Sequence, residues 1–417
     1  MDEQIEIKGF NGCCDIAVVG AGPAGLTAAL ALAHVGAKVA LIGPPPLSTS
    51  SQHPDTRTAA LLSSSVDLLK TLEVWDELAR HAAPLKAIRI IDASGGLLRA
   101  PDVEFKASEL GLEAFGYNIA NSVLVEMLYA HAASALGSLQ PSSVERIELA
   151  PNHAVLSLKQ GMEITARLVV GADGRCSICR KRAGIAVSER RTEQAAIATS
   201  FTHAEPHGGV STELHRGGGS VTAVPLIDPH ASSVIWVGAA PEIDALMRLD
   251  ATGFGNALAG RLDGLLGRLG EVCARAHFPV TRLAAESLVG PRTALVGEAA
   301  HILSPIGAQG LNLGLRDAAT LADCIGVALE RDGDPGSGEV LNAYDSARRV
   351  DVLTRTFGID LLSRSLLTGF LPLRVARGII SHGLNALPPL RRLVMRIGMT
   401  PPTQLPSLMR PARATQA

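Results

Sequence analysis

The sequence predicts an α/β protein: a Rossmann-like parallel sheet with an interleaved, mostly antiparallel second sheet and C-terminal helices. Three observations carry this prediction. An apolar run from Cys14 to Val19 passes at once into Gly20-Ala21-Gly22-Pro23-Ala24-Gly25 and then into LTAALALAHVGA; this is the strand, GxGxxG turn and helix order of a dinucleotide fold. Residues 187–279 change to period-2 segments separated by HGG, RGGG and DPH turns, the pattern of antiparallel strands. Late in the chain, residues 295–317 repeat the strand, glycine loop and helix plan, with Leu311, Leu315, Ala318, Ala322, Ile325 and Leu329 at helical spacing.

A chain of 417 residues exceeds one ordinary core. The expected division is a discontinuous nucleotide-binding domain over 1–80, 115–186 and 285–350, a substrate domain over 81–114 and 187–284, and a helical region over 351–417. With 38 basic against 40 acidic residues there is no global field to hold nucleic acid. Six cysteines without even spacing give no disulfide framework, and the lone CxxC at Cys176 and Cys179 lacks a second ligand pair for a metal. No run reaches the roughly 20 apolar residues of a spanning helix, and MDEQIEIKGF lacks the plan of a signal peptide. The expected setting is cytoplasmic.

In the first motif, Gly20 makes the tight turn, Gly22 lets backbone approach a pyrophosphate, and Gly25, after Ala24, lets the helix pack on its strand. The second strand ends at Gly43, where an acid for the adenosine ribose is expected; that contact falls to backbone, water or another side chain. Arg57 follows a Pro/Ser loop and either reaches a phosphate or ring edge or pairs with Asp55 at the surface. Residues 87–105 read as a hairpin turning at Gly95-Gly96. Asn121 reads as the cap of the next helix or the residue just before it, and a capping Asn can also sit near a cofactor. Asp173 ends a second buried strand in an Asp-Gly turn, which suits a bound dinucleotide and a plain turn equally.

The histidines 203, 207, 215 and 230 read as turn or surface residues, and His301 as structural. In the late segment Ser304, Pro305, Gly307 and Gly310 form a loop before a helix start at Gly310, Leu311 and Asn312, where bare N–H groups and the positive dipole end favour an anionic ligand. Between 358 and 400 there are six arginines and one acid. Leu362, Leu366, Phe370 and Leu373, then Leu390, Leu393, Val394 and Ile397, repeat helically, which suits either a membrane surface or packing on the same protein or a dimer partner.

GAGPAG, GADGRCSICR and GEAAHILSPIGAQGLNLGLRD, in this order, resemble the group A FAD-dependent aromatic hydroxylases, and with RTAALL and FGYNIANSVLVEML most resemble the ubiquinone-biosynthesis hydroxylases among them. The resemblance implies an FAD-binding domain of the glutathione-reductase type and a p-hydroxybenzoate hydroxylase-like fold. It implies one extended FAD with Gly20, Gly22, Ala24 and Gly25 on its pyrophosphate side, Arg57, Asn121 and Asp173 at the cofactor, and Pro305, Gly307, Gly310, Leu311 and Asn312 beside the flavin ring. Glu298 stands where the family has Asp and is expected to take a ribityl hydroxyl. The implied reaction consumes NAD(P)H and O₂ to hydroxylate an aromatic ring, with no general base assignable.

The substrate expected on this resemblance is a polyprenyl-phenol or quinol precursor of ubiquinone, met by a protein held peripherally on the membrane inner face through residues 358–400, alone, as a homo-oligomer or in a biosynthetic complex. Two rivals stand beside it: a soluble monooxygenase of a small aromatic or polyketide, and a noncatalytic scaffold or assembly subunit with this fold.

Overall fold

Continuous apolar runs become buried parallel strands. The computed structural model describes residues 12–46, 55–93, 101–159, 161–217, 219–304, 308–367, 382–399 and 404–411. In it the strand Cys13–Val19 lies between Val39–Ile42 and Glu163–Gly171, both parallel to it, with Thr293–Leu295 added beyond the latter in an eight-stranded sheet. Ile16, Ala17 and Val18 are wholly inaccessible, as a strand covered on both faces requires. The helix Pro23–His34 opens with Pro in its first turn and is buried from Gly25 to Leu32. It is apolar all round because it is held between the sheet and the helices Asn121–Ala135 and Gln309–Leu329.

The period-2 segments form a nine-stranded sheet ordered 301–302, 276–285, 187–203, 231–239, 219–225, 210–216, 87–92 and 103–106, with 269–272 beside 187–203. The predicted hairpin strands pair antiparallel, but Ala87–Asp92 also pairs in parallel with Val210–Arg216, so they form the margin of the large sheet. Its Gly95-Gly96 turn lies outside the described residues. One face of the sheet carries Ile197, Val221, Val234 and Trp236 against Phe254 and Leu258 of the helix Ala251–Leu262. The opposite face turns toward a three-stranded sheet of Thr58–Leu62, Gly116–Ala120 and Ala82–Pro84. There Thr58 Oγ1 is 2.9 Å from Ser233 Oγ, and Asn118 Nδ2 donates to Pro225 O at 2.9 Å.

The helix Gly338–Leu367 packs on Gln309–Leu329. The helix Pro388–Met399 rests through Met395 on Val103 and Phe105, and Arg391 Nη2 binds Glu109 Oε2 at 2.8 Å. Phe370 and Leu373 lie outside the described residues, as do the side chains of Leu362 and Leu366. Among the described residues no helix is long and apolar enough to cross a membrane.

Candidate active site

Two helix starts converge because the residues between them are small. A Cβ at Gly20, whose φ is +117°, would lie 2.2 Å from Ala172 O, and one at Gly25 would lie 1.9 Å from Gly20 O. Neither position admits a side chain. Behind the turn, a Cβ at Gly297 would stand 2.9 Å from Ala24 Cβ, and one at Gly314 3.0 Å from Gly297 Cα. Ala24 is therefore the contact that draws the late helix onto the first. Gly22 differs from its neighbours, since a Cβ there would meet nothing within 4 Å. It faces open space at a helix N-terminus, where unpaired N–H groups suit a phosphate.

Gly43 donates its N–H to Gln140 O at 3.0 Å, and a Cβ at this position would sit 2.6 Å from Ala21 N. The place of the expected ribose acid is thus closed to a side chain unless the turn moves.

Arg57 makes a two-pronged pair with Asp55, Nε to Oδ1 and Nη2 to Oδ2, both at 2.8 Å, while its side chain stays 55% exposed. Asn121 is not a cap: it is the first residue of its helix, Ala120 occupies the cap position, and its Nδ2 donates to Asp55 Oδ2 at 2.6 Å. No side chain caps this helix start, and the Asn121 amide is drawn sideways to a carboxylate instead. Burial alone would push the Asp55 carboxyl up, but Arg57 and Asn121 hold it below its ordinary range. The Arg57 guanidinium is pushed up, by Asp55 first and also by the charge of Glu298. The expected pairing of Arg57 with Asp55 is present, and the charge of Glu298 acts on the same guanidinium from the late segment.

Asp173 Oδ2 accepts the N–H groups of Ile178 at 2.7 Å and Cys179 at 3.1 Å, starting the short helix Ile178–Arg182, and Ser177 Oγ accepts from Arg180 N–H at 2.9 Å. The Asp173 Oδ1 is buried and has no hydrogen-bond partner among the described residues, which leaves one strong acceptor for a ligand. Cys179 is buried and Cys176 exposed, both as free thiols; burial pushes the Cys179 thiol well up, away from redox use.

In the late segment Glu298 stands exposed in the turn Gly297–Ala299 while both neighbours are buried. The helix Gln309–Leu329 starts after Ala308, whose φ is +53°. Gly310 is exposed with nothing within 4 Å of an added Cβ, and Leu311 packs on the main core. Asn312 accepts from Leu62 N–H at 2.8 Å and Ser65 Oγ at 2.7 Å, and donates to Ala60 O at 2.8 Å and Ala308 O at 2.6 Å. Its side-chain hydrogen-bonding groups are all engaged, so it clamps the helix start onto the strand Thr58–Leu62. Pro305 and Gly307 lie outside the described residues.

Beneath this turn runs a buried ionic array whose members the sequence did not mark as functional. Asp317, fully buried, accepts from Gly297 N–H at 3.1 Å, His301 Nε2 at 2.6 Å and Arg348 Nε at 2.8 Å. Asp351 accepts from Arg316 Nη1 and Arg348 Nη1, each at 2.7 Å, and from Arg355 Nε at 2.9 Å. Burial would raise both carboxyls, yet the surrounding cations hold Asp317 below its usual range and Asp351 at about 2. Tyr344 Oη donates to Leu295 O at 2.8 Å. The available signal was a charged pair, Arg316-Asp317, inside an otherwise apolar helix pattern.

The cleft's donors and acceptors fit FAD: an open glycine at a helix N-terminus for the diphosphate, an exposed carboxylate at Glu298, an unpaired buried acceptor at Asp173, and a second helix start at Gly310. Comparison with known proteins agrees. Residues 13–355 match the family model described as FAD binding domain. The chain is 32% identical to ubiquinone hydroxylase UbiL of Rhodospirillum rubrum, over 92% of this chain and 89% of that protein. It is 33% identical to the 3-demethoxyubiquinol 3-hydroxylase of Escherichia coli, over 88% and 93%. Among solved structures, p-nitrophenol 4-monooxygenase PnpA of Pseudomonas putida superposes with a TM-score of 0.74 at 19% identity, covering 92% of this chain and 97% of that one. The chain therefore belongs to the FAD binding domain family, as an FAD-dependent monooxygenase among the ubiquinone-biosynthesis hydroxylases.

Proposed function

We propose that the protein hydroxylates a polyprenyl-phenol or quinol intermediate of ubiquinone biosynthesis, with NAD(P)H as reductant, while seated on the membrane surface. The observation that carries this reading is the helix Pro388–Met399. Its inward side presents the buried Met395, whereas Leu390, Leu393, Val394 and Ile397 project the other way, Leu393 53% and Ile397 66% exposed. At about 100° per residue Leu390, Leu393 and Ile397 fall on the side opposite Met395, with Val394 at its margin. The outward face is apolar where an ordinary surface helix is polar, and Arg392 and Arg396 are exposed beside it. Apolar side chains with flanking arginines suit the boundary of an anionic bilayer, and a substrate with a prenyl tail resides in that bilayer.

When bound, FAD supplies hydride acceptance from the reductant and the activation of O₂. The chain's part is placement. Gly22 and the free N–H groups in the first turn after Pro23 receive the diphosphate, Glu298 receives a ribityl hydroxyl, and Arg57, Asn121 and Asp173 border the cofactor. Gly310, Leu311 and Asn312 form the surroundings of the ring, and the helix start there would stabilise negative charge on it. A single GxGxxG gives the reductant no domain of its own, which supports its reaching the same cleft.

Two measurements test the reading. Purified protein should float with anionic vesicles, and Leu393→Asp with Ile397→Asp should lower that partition at least about tenfold, since each removes roughly 1.5–3 kcal/mol of apolar burial. A protein that remains wholly unbound, or that pairs with a second copy or a biosynthetic partner through this face instead, would remove the membrane claim. A deletion strain should accumulate a quinone precursor lacking one hydroxyl; an unchanged quinone profile would remove the substrate claim.

A further inference from the structure

The face of the nine-stranded sheet that turns toward Thr58 carries a buried polar pair to which no role has been assigned. Strand register sets Ser220 opposite His215 and Thr222 opposite Glu213, and Ser233 opposite Val224 on the same face. Ser233 is the residue bonded to Thr58, and the strand holding Thr58 is clamped to the late helix by Asn312. His215 and Glu213 therefore face the cofactor-binding side. The apolar cluster around Trp236 and the helix Ala251–Leu262 lies on the other face.

His215 is only 3% exposed, yet among the described residues neither ring nitrogen has a hydrogen-bond partner. Its Nε2 comes within 3.0 Å of Glu213 Oε1, close enough for charge to act but without the alignment of a hydrogen bond. Buried nitrogens left without partners are costly and call for a partner that arrives with a ligand. The expectation that His215 is a turn or surface residue is overturned by this burial. Beside the pair, Ile90 stands opposite Glu213 and Val103 opposite Ile90, and this apolar flank continues into Met395 of the outward-facing helix. A buried polar pair beside an apolar cluster that reaches that helix matches the two chemistries of a ring bearing a hydroxyl and a hydrocarbon tail.

We infer that His215 and Glu213 determine substrate specificity: a ring nitrogen of His215 accepts a hydrogen bond from the hydroxyl of a neutral phenol, and the Glu213 carboxylate excludes rings that carry a carboxylate. This rests on the aromatic-hydroxylase reading and narrows it to uncharged phenols. A hydroxyl satisfies the unpartnered imidazole, whereas a carboxylate would be buried against a like charge.

The test uses FAD-loaded enzyme and three probes of equal prenyl length: a neutral prenylated phenol, its methyl ether, and its ring-carboxylated counterpart. Calorimetry gives each affinity, and product formed per NAD(P)H consumed gives coupling. Wild type should prefer the phenol to either alternative by at least about tenfold. Glu213→Gln should strengthen binding of the acid by roughly tenfold. His215→Phe should weaken the phenol by a similar factor while leaving the ether unchanged, an outcome that general damage to the sheet would not produce. Should His215→Phe fail to fold, the phenol-to-ether ratio in wild type and the Glu213→Gln arm decide. Phenol-to-ether and phenol-to-acid preferences that the variants leave unmoved, in an enzyme that hydroxylates the phenol, overturn the inference alone. A wild type that binds none of the probes overturns it together with the proposed substrate.

Discussion

The two turns that flank the cofactor cleft are built by opposite means. Gly20 to Gly25 is shaped by the removal of side chains: the backbone of Ala172 and of Gly20 itself occupies the space where two Cβ atoms would stand. The turn Gly297–Ala299 is shaped by adding them, with Asp317 holding the Gly297 N–H from beneath, His301 and Arg348 holding Asp317, and Asp351 holding Arg348 in turn. The first turn is rigid by exclusion, and the second by charge. The first should respond to bulk and hardly to pH, and the second to charge removal and acid.

The largest break should come from Asp317→Ala, which leaves Arg348 and His301 buried without their carboxylate. Taking one partner from a buried pair costs about 3–5 kcal/mol, a fall in thermal midpoint of roughly 3–6 °C for a chain of this size. A loss under about 1 kcal/mol in calorimetry would mean that charge does not hold this turn.

Acid probes the same array more gently. The Asp351 carboxyl lies at about 2, below its ordinary 3.8, so the stability it contributes is fully present above about pH 4 and is lost as pH falls toward 2. The linked free energy is about 2 kcal/mol. Denaturant unfolding followed from pH 5 to pH 2 should show that loss, and Asp351→Asn should flatten it; a parallel fall in the variant would assign the acid sensitivity elsewhere.

The smallest effect on stability is expected at Gly22→Ala, within about 0.5 kcal/mol, because a methyl there meets open space. Its effect should fall on the ligand, with FAD affinity lowered at least about tenfold by intrusion toward the diphosphate. Gly20→Ala should instead lose stability and cofactor together. Equal thermal shifts in the two variants would erase the distinction between a glycine needed by the chain and one needed by its ligand.

These differences explain what could be read from the chain. Gly20, Gly22 and Gly25 were legible because their reasons are local: strand, turn and helix lie within a few residues. Asp317 was not, because its partners come from His301, Arg348 and the Gly297 backbone, and no spacing rule links them. Asn312 was placed beside the cofactor through a motif, yet its side chain serves Leu62, Ser65 and Ala60, some 250 residues earlier in the chain. Asn121 was misread because a polar residue near a helix start need not point along the helix axis when a carboxylate stands to one side. His215 sits in the period-2 segment ThrGluLeuHis, which reveals that Glu213 and His215 share a face but not which face is covered.

Arg355 gives these separate parts a common thermodynamics. Its Nη1 lies 2.6 Å from Gln309 Oε1, at the start of the late helix, and 3.3 Å from Gly398 O, near the end of the outward-facing helix. One guanidinium thus touches both the cofactor end and the bilayer end of the proposed machinery. If this bridge transmits order, reciprocity is unavoidable: occupancy of the cleft and adsorption at the bilayer must each raise the other's affinity by the same factor. The enzyme would then hold its lipid surface most tightly when loaded, and let go of it when empty.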